Sequence, residues 1–276
     1  MRDRTKLGPI SIGGTKLLNV GTGADGNVLI DRGSVDLTST LNGDPIVMNY
    51  NNLTIDATFT LSVSNPCKGL FIYVKHDLIV NGTISMNSKG ATGTPTQPIT
   101  ILAGNVPKDA FIGDSLIYSI PIKGGLGGIG AGGIGPNGSD GLYGETGGGA
   151  AGGAASSYNG HNGFNGTRYD GGIGGNGGGT TSYGLGGTPG GGVLVILVGG
   201  DITIGAAAVI SANGVKGSNG VTGGGGGGSG GGSIIILCNG TLTNSGSVVA
   251  SGGAGGTGHF AGGVGGAGSV QILKAT

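Results

Sequence analysis

Short blocks of apolar residues, some alternating and some continuous, recur along this chain with turns of small residues between them. Four segments align on their second halves: NLTIDATFTLSV from Asn52, DLIVNGTISMN from Asp77, DITIGAAAVISAN from Asp201 and GTLTNSGSVVASG from Gly240. Each predicts a strand, a small-residue turn and a second strand. Alternation is clean in the second strands, as in Ile84-Ser85-Met86 and Ile210-Ser211-Ala212, so one face is expected inside and one outside. Three of the segments follow an apolar run: LFIYV at 70–74, VLVILV at 193–198 and SIIIL at 233–237. These runs are short and apolar throughout, the pattern of strands buried on both faces. A final SVQIL at 269–273 reads as the start of a further unit.

Stacked units of this kind bury a shared core that no single unit could bury. The pattern therefore predicts an all-β fold, an irregular β-solenoid or sandwich of short strands. LLNVGTGADGNVLIDRGSVDLTST, from Leu17, has short alternating runs and is expected to start the stack. Residues 95–123 hold Pro95, Pro98, Pro107 and Pro121 and read as an excursion on one flank. Three parts follow: residues 1–46 as an N-terminal attachment region with the first strands, 47–123 as strand-rich coils with that excursion, and 124–276 as glycine-rich chain interleaved with returning coils.

Glycine changes the picture, because 73 of the 276 residues are glycine and many fall on every third position. Gly132, Gly135, Gly138, Gly141, Gly144 and Gly147 keep one frame. Gly160, Gly163 and Gly166 keep another, resumed at Gly172, Gly175 and Gly178 after a break at Tyr169. A third tract runs from Gly214 and a fourth from Gly252 to Gly268. A period of three matches the polyproline-II backbone, which has no internal hydrogen bonds and must satisfy its polar groups elsewhere.

Disordered low-complexity chain is one reading of such a composition. Collagen is a second, but nine prolines are far too few. The third is a packed bundle of polyglycine-II helices, favoured because strands bracket the tracts at Lys123 and Val193, and again at Asn213 and Ser233. Ordering glycine is costly, so these tracts could hardly fold without strands holding their ends.

Thirteen basic residues balance thirteen acidic ones, and only 9% of residues are charged. That leaves no electrostatic footprint for nucleic acid or an anionic membrane. The opening MRDRTKLGPISIGG lacks the apolar core of a signal peptide, and the longest apolar runs are too short to cross a bilayer. The expectation is a soluble protein made in the cytoplasm, with no membrane insertion. Cys67 and Cys238 lie in or beside apolar strands of different units and read as buried small hydrophobes.

Candidate chemistry is sparse. His76, His161 and His259 sit in no zinc-ligand spacing. Asp140 with Glu145 or Asp170 is the nearest approach to a glycosidase pair, and it lies in glycine tracts with no evident rigid support. GGIGPNGSD at 132–140 is a poor match to a calcium-binding nonapeptide, with asparagine at the key acidic place. GSGGGS at 228–233 lacks the Lys-Ser or Lys-Thr of a phosphate loop and reads as a helix edge leading into a strand. Asn-Gly-Thr and Asn-Gly-Ser sequons, as at Asn81, read as turns. No catalytic residue, metal or cofactor is expected, and the chain is read as a non-enzyme.

Large side chains instead interrupt the glycine period: Leu142-Tyr143, Tyr158, His161, Phe164, Arg168-Tyr169, Tyr183 and His259-Phe260. Leu142 and Phe164 could simply cover a flank. With glycines facing inward, the set is expected at bundle edges and loop tips, and tyrosine, histidine and arginine on a rigid support are the types that form binding hot spots.

Glycine tracts alternating with short aromatic and polar inserts resemble the distal tail-fibre adhesins of T-even-type phages. The strand motifs GLFIYVKHDLIVNGTISMNSKGA and GGGSIIILCNGTLTNSGSVVASGGAGG are similar to glycine-rich proteins among phage and prophage tail-fibre and receptor-binding genes. The resemblance implies a virion tail-fibre or tail-tip component for host attachment, with a polyglycine-II sandwich whose loops bind a bacterial surface receptor. Those loops would be 142–146, 156–170, 180–183 and 259–260, making Tyr143, Tyr158, His161, Phe164, Arg168, Tyr169, Tyr183, His259 and Phe260 the candidate contacts. The N-terminal region would dock onto a fibre or baseplate protein, and homo-oligomers are compatible with it. The alternative is a structural virion or filament subunit that self-associates through β edges and glycine faces.

Overall fold

The computed structural model describes residues 20–91, 152–155, 176–178, 189–220, 224–258 and 261–274. Short strands wind there into five stacked coils of three strands each. The first coil contains β1 (Asn27–Ile30), β2 (Val35–Leu37) and β3 (Ile46–Tyr50), and the second β4 (Asn52–Ile55), β5 (Thr60–Val63) and β6 (Leu70–Val74). The third has β7 (Leu78–Val80) and β8 (Thr83–Ser85), then leaves on a long excursion. Within it, β9 (Gly152–Ala155) and β10 (Asn176–Gly178) form a parallel pair of their own. β11 (Val193–Val198) closes that coil. The fourth comprises β12 (Ile202–Ile204), β13 (Val209–Ser211) and β14 (Ser233–Cys238), and the fifth β15 (Leu242–Asn244), β16 (Ser247–Val249) and β17 (Ser269–Lys274).

Corresponding strands pair in parallel to make three five-stranded sheets: β1-β4-β7-β12-β15, β2-β5-β8-β13-β16 and β3-β6-β11-β14-β17. The all-β solenoid expected from the repeats is therefore present, and among the described residues there is no helix. Its regularity is greater than the sequence suggests, since every sheet keeps one strand per coil. SVQIL lies in β17, which pairs in parallel with β14 as the next strand of the sheet that holds the earlier apolar runs.

Side chains of like position stack in columns because the register is kept from coil to coil. Leu53, Leu78 and Ile202 form one inward column, and Leu70, Leu194 and Ile234 another, all essentially fully buried. The apolar runs β6, β11 and β14 are buried at every residue, as their composition predicts. Phe71, Val195 and Ile235 point away from the solenoid interior and are still buried. Cys67 and Cys238 are buried and free.

Two tyrosines belong to this sheet. Burial pushes Tyr50 up to about 12, with the charge of Asp25 adding to it, and burial alone pushes Tyr73 up to about 12. In the unfolded chain the phenols ionise near 10. Their neutral forms thus favour folding fully below pH 10, and that contribution is lost as pH climbs from 10 toward 12. Urea midpoints are expected to fall steeply across this window, by about 1.4 kcal/mol per pH unit per tyrosine. Tyr73→Phe should flatten the fall by roughly half.

One solenoid corner is held by a ladder of amide and carboxylate side chains. The Asn52 amide donates to Asn27 Oδ1 at 2.8 Å, Asp77 N–H donates to Asn52 Oδ1 at 3.1 Å, and Asp201 N–H to Asp77 Oδ1 at 2.9 Å. Thr241 N–H completes it, donating to Asp201 Oδ1 at 2.6 Å. Asparagine and aspartate alternate freely here because the ladder needs only an acceptor oxygen. Asp201→Asn is accordingly expected to be neutral within about 0.5 kcal/mol, whereas Asp201→Ala should cost about 1 kcal/mol in urea unfolding.

Candidate functional site

The glycine tracts leave the solenoid at a single corner, between the second and third sheets. In the first two coils that connection is short, at 38–45 and 64–69. In the third it spans 86–192, in the fourth 212–232 and in the fifth 250–268. Each of the last two tracts runs outward and returns. The out leg and return leg of the fourth coil are 212–220 and 224–232; those of the fifth are 250–258 and 261–268.

Hydrogen bonds between these legs repeat every third residue. Gly214, Gly217 and Gly220 donate to the carbonyls of Ser251, Ala254 and Thr257 at 2.8–2.9 Å. Gly262, Gly265 and Gly268 donate to Gly256, Gly253 and Ala250 at 2.6–2.9 Å. Each of these legs satisfies its backbone on its neighbours, the pattern of bonding that the glycine period requires.

The return leg 224–232 has neighbours on four sides. Gly226, Ser229 and Gly232 donate to Ser218, Val215 and Ala212 of its own out leg, and Gly228 and Gly231 donate to Gly263 and Gly266. The leg accepts from Gly253 and Gly256 on another side and from Gly191 on a fourth. Every described residue in it is buried. Its sequence, glycine throughout except Ser229, follows from that enclosure. GSGGGS does lead into β14 as expected, but it belongs to the enclosed centre of the bundle and not to an edge.

Beyond the buried Ala212 and Ala250 at their bases, the outer legs carry most of their side chains at exposed places. In 250–258 and 261–268, Ser251, Ala254, Thr257, Ala261, Val264 and Ala267 are exposed, one per triplet, with two glycines between successive members within each leg. In 212–220 glycine occupies one place in three, and Lys216, Ser218 and Asn219 are exposed. Glycine is selected here for its missing Cβ. A Cβ on Gly217 would collide with the Gly226 carbonyl, and one on Gly253 with the Val215 carbonyl, although neither residue has a positive φ.

Three polar side chains lock the register. Asn87 Oδ1 accepts from Asn213 N–H at 2.6 Å, Asn213 Oδ1 from Ser251 N–H at 2.7 Å, and Asn219 Oδ1 from Thr257 N–H at 2.9 Å. Ser229 Oγ accepts from Val215 N–H at 2.6 Å and donates to the Pro189 carbonyl at 3.1 Å, tying three legs together. None of these positions stood out in the sequence as a site residue. An asparagine replacing glycine just before or within a triplet is the signal that could have found them.

The antiparallel legs bring Gly220, Gly224, Gly258 and Ala261 to the end of the bundle farthest from the solenoid, where Gly220 N–H reaches the Thr257 carbonyl at 2.8 Å. His259 and Phe260 lie between two of these residues and fall outside the described residues. So do Tyr143, Tyr158, His161, Phe164, Arg168, Tyr169 and Tyr183, all within the excursion of the third coil. The described distal residues are small or polar: Ser218, Asn219 and Thr257 are exposed beside these openings.

Among the described residues no three His, Cys, Asp or Glu side chains gather as metal ligands, and no helix is long and apolar enough to cross a membrane. Burial pushes both thiols upward, Cys67 and Cys238 alike, so they stay protonated and poorly nucleophilic at neutral pH. Asp140, Glu145 and Asp170 fall outside the described residues. No protein-family model, curated protein or solved structure matches this chain.

Proposed function

We propose that this chain is a non-enzymatic phage adhesin, a tail-fibre or tail-tip component that binds a bacterial surface protein or glycan through inserts carried on the glycine bundle. The observation that carries the reading is the shared origin and parallel stacking of the tracts. They leave one corner, and the described legs of two of them, 212–220 with 224–232 and 250–258 with 261–268, are held side by side. Side chains inserted at such points are presented on a support whose backbone is already ordered, which lowers the entropic cost of binding.

Tyr143, Tyr158, His161, Phe164, Arg168, Tyr169, Tyr183, His259 and Phe260 are the contacts assigned by this reading. Several copies per particle would multiply weak contacts into avidity. The first coil and the residues before it supply attachment to a fibre or baseplate protein.

The test is binding of purified, fluorescently labelled chain to a panel of bacterial strains. Exchange of 156–170 for a Gly-Ser linker of equal length should abolish binding, more than about tenfold in apparent affinity, with the far-UV circular dichroism unchanged. Unchanged binding by that variant would remove the segment from the site, and release of reducing sugar from cell envelopes would replace adhesion with catalysis.

A further inference from the structure

The two ends of the solenoid leave the same core columns half-covered. Val28, Leu37, Ile46 and Met48 in the first coil and Leu242, Val248, Val270 and Ile272 in the fifth pack on the core while remaining partly exposed. Val28 and Leu242 terminate one column, Ile46 and Val270 a second, Met48 and Ile272 a third. Among the described residues, β1, β2 and β3 pair with another strand on one side only, as do β15, β16 and β17 on the opposite side, and Asp25 and Gly26 already bond Asn49 and Asn51 at the end of β3. Such edges invite further strand pairing.

Exposed aliphatics concentrate at the first end. Leu29 is 56% exposed, Val35 37%, Leu41 66% and Val47 52%, and all four belong to the first coil. Solenoids that stay monomeric end in coils with a polar outer face; among the described residues the first coil instead exposes these four aliphatics.

Charge selects the occupant. Within residues 20–50, Asp25, Asp31, Asp36 and Asp44 stand against Arg32, a net of three negative charges. From Gly240 to Lys274, the fifth coil has one charged side chain, Lys274. Two first coils face to face would oppose acid with acid, while a fifth coil on a first coil opposes cation with acid.

We propose that a second copy of this chain docks head to tail, its fifth coil continuing the three sheets of the first copy's first coil. Leu242 then sits over Val28, Val270 over Ile46 and Ile272 over Met48. Lys274, which shares a column with Tyr50, is brought toward Asp25, whose carboxylate accepts from Asn49 N–H at 2.6 Å. Among the described residues, the connections of the first two coils at that corner are short, 38–45 and 64–69. An interface between unlike ends that does not close gives linear assemblies. Receptor binding is not required for this association, so the two readings stand or fall separately.

Sedimentation velocity of the full chain, from low to high micromolar concentration, tests the proposal. The expected result is a concentration-dependent series of elongated oligomers. Asp25→Lys and Lys274→Glu should each weaken association by on the order of tenfold. An equimolar mixture of the two should recover it, since each altered end then meets an opposite charge. Val47→Lys, at an exposed site, provides an independent block should Asp25→Lys disturb the Asn49 contact. A monomer at every concentration, which would mean that the end is left for another occupant, overturns the proposal. So does association unmoved by these variants, or a mixture that fails to recover.

Discussion

Gly228→Ala is expected to open the glycine bundle while leaving the solenoid folded. A Cβ at this position would run into the Gly253 carbonyl and lie 2.7 Å from the Ala254 carbonyl oxygen, both backbone atoms held in the lattice. The legs can relieve the clash only by separating, which breaks the bonds that Gly253 and Gly256 make to Ser229 and Gly226. Overpacking of this kind costs about 1–3 kcal/mol. Alanine also stiffens the unfolded chain, a gain of about 0.4–1 kcal/mol that is smaller than the clash.

Cleavage by thermolysin near Val215 and Val264 reads the opening directly, because proteolysis follows the population of the open form. Gly228→Ala should accelerate it, by up to roughly a hundredfold. Ala254→Val is the control. Ala254 is exposed at the outward place of its triplet, the place Val264 occupies in the neighbouring leg, so its cleavage should change by less than about threefold. Equal sensitivity of the two sites would mean that the legs are not packed as a lattice.

The second large effect separates the middle of the solenoid from its end. Ile196 and Ile272 occupy the same inward column, but Ile196 is fully buried in the third coil and Ile272 is half-covered in the fifth. Ile196→Ala should cost about 2–5 kcal/mol in urea unfolding. Ile272→Ala should cost about half as much or less at concentrations below association, because part of that side chain is already in water. A loss at Ile272 that grows toward that at Ile196 as protein concentration rises is what end-to-end stacking requires.

Much of this fold was legible. The alternation in Ile84-Ser85-Met86 and the continuous apolar runs at 70–74 and 193–198 identify strands by the burial each face demands, and glycine at every third place identifies legs whose backbone must bond outward. The closure into three parallel sheets was harder to see. Asn27 and Asn52, then Asn52 and Asp77, are 25 residues apart, but the next rung comes 124 residues later and the last after 40. Tracts inserted at one corner hide the period without disturbing the register.

The centre of the bundle was misplaced for a related reason. Periodicity gives the face a residue occupies along one leg; it does not give the number of legs around it. The all-glycine stretch around Ser229 now has a physical meaning: it is the leg enclosed on four sides, whereas each outer leg keeps side chains at its exposed places. For the candidate site, the sequence supplies residue types and the breaks in the period, while Asn213, Asn219 and Ser229 act through contacts between legs that no single tract encodes.

Amide hydrogen exchange across the glycine legs tests the central claim most directly, that they form an ordered lattice able to carry binding inserts. The lattice predicts that the amides of Gly226, Gly228, Ser229 and Gly231 exchange as slowly as those of β14, at least about a hundredfold below the rate of unstructured chain. Exchange of those amides at the unstructured rate, with β14 still protected, would contradict it.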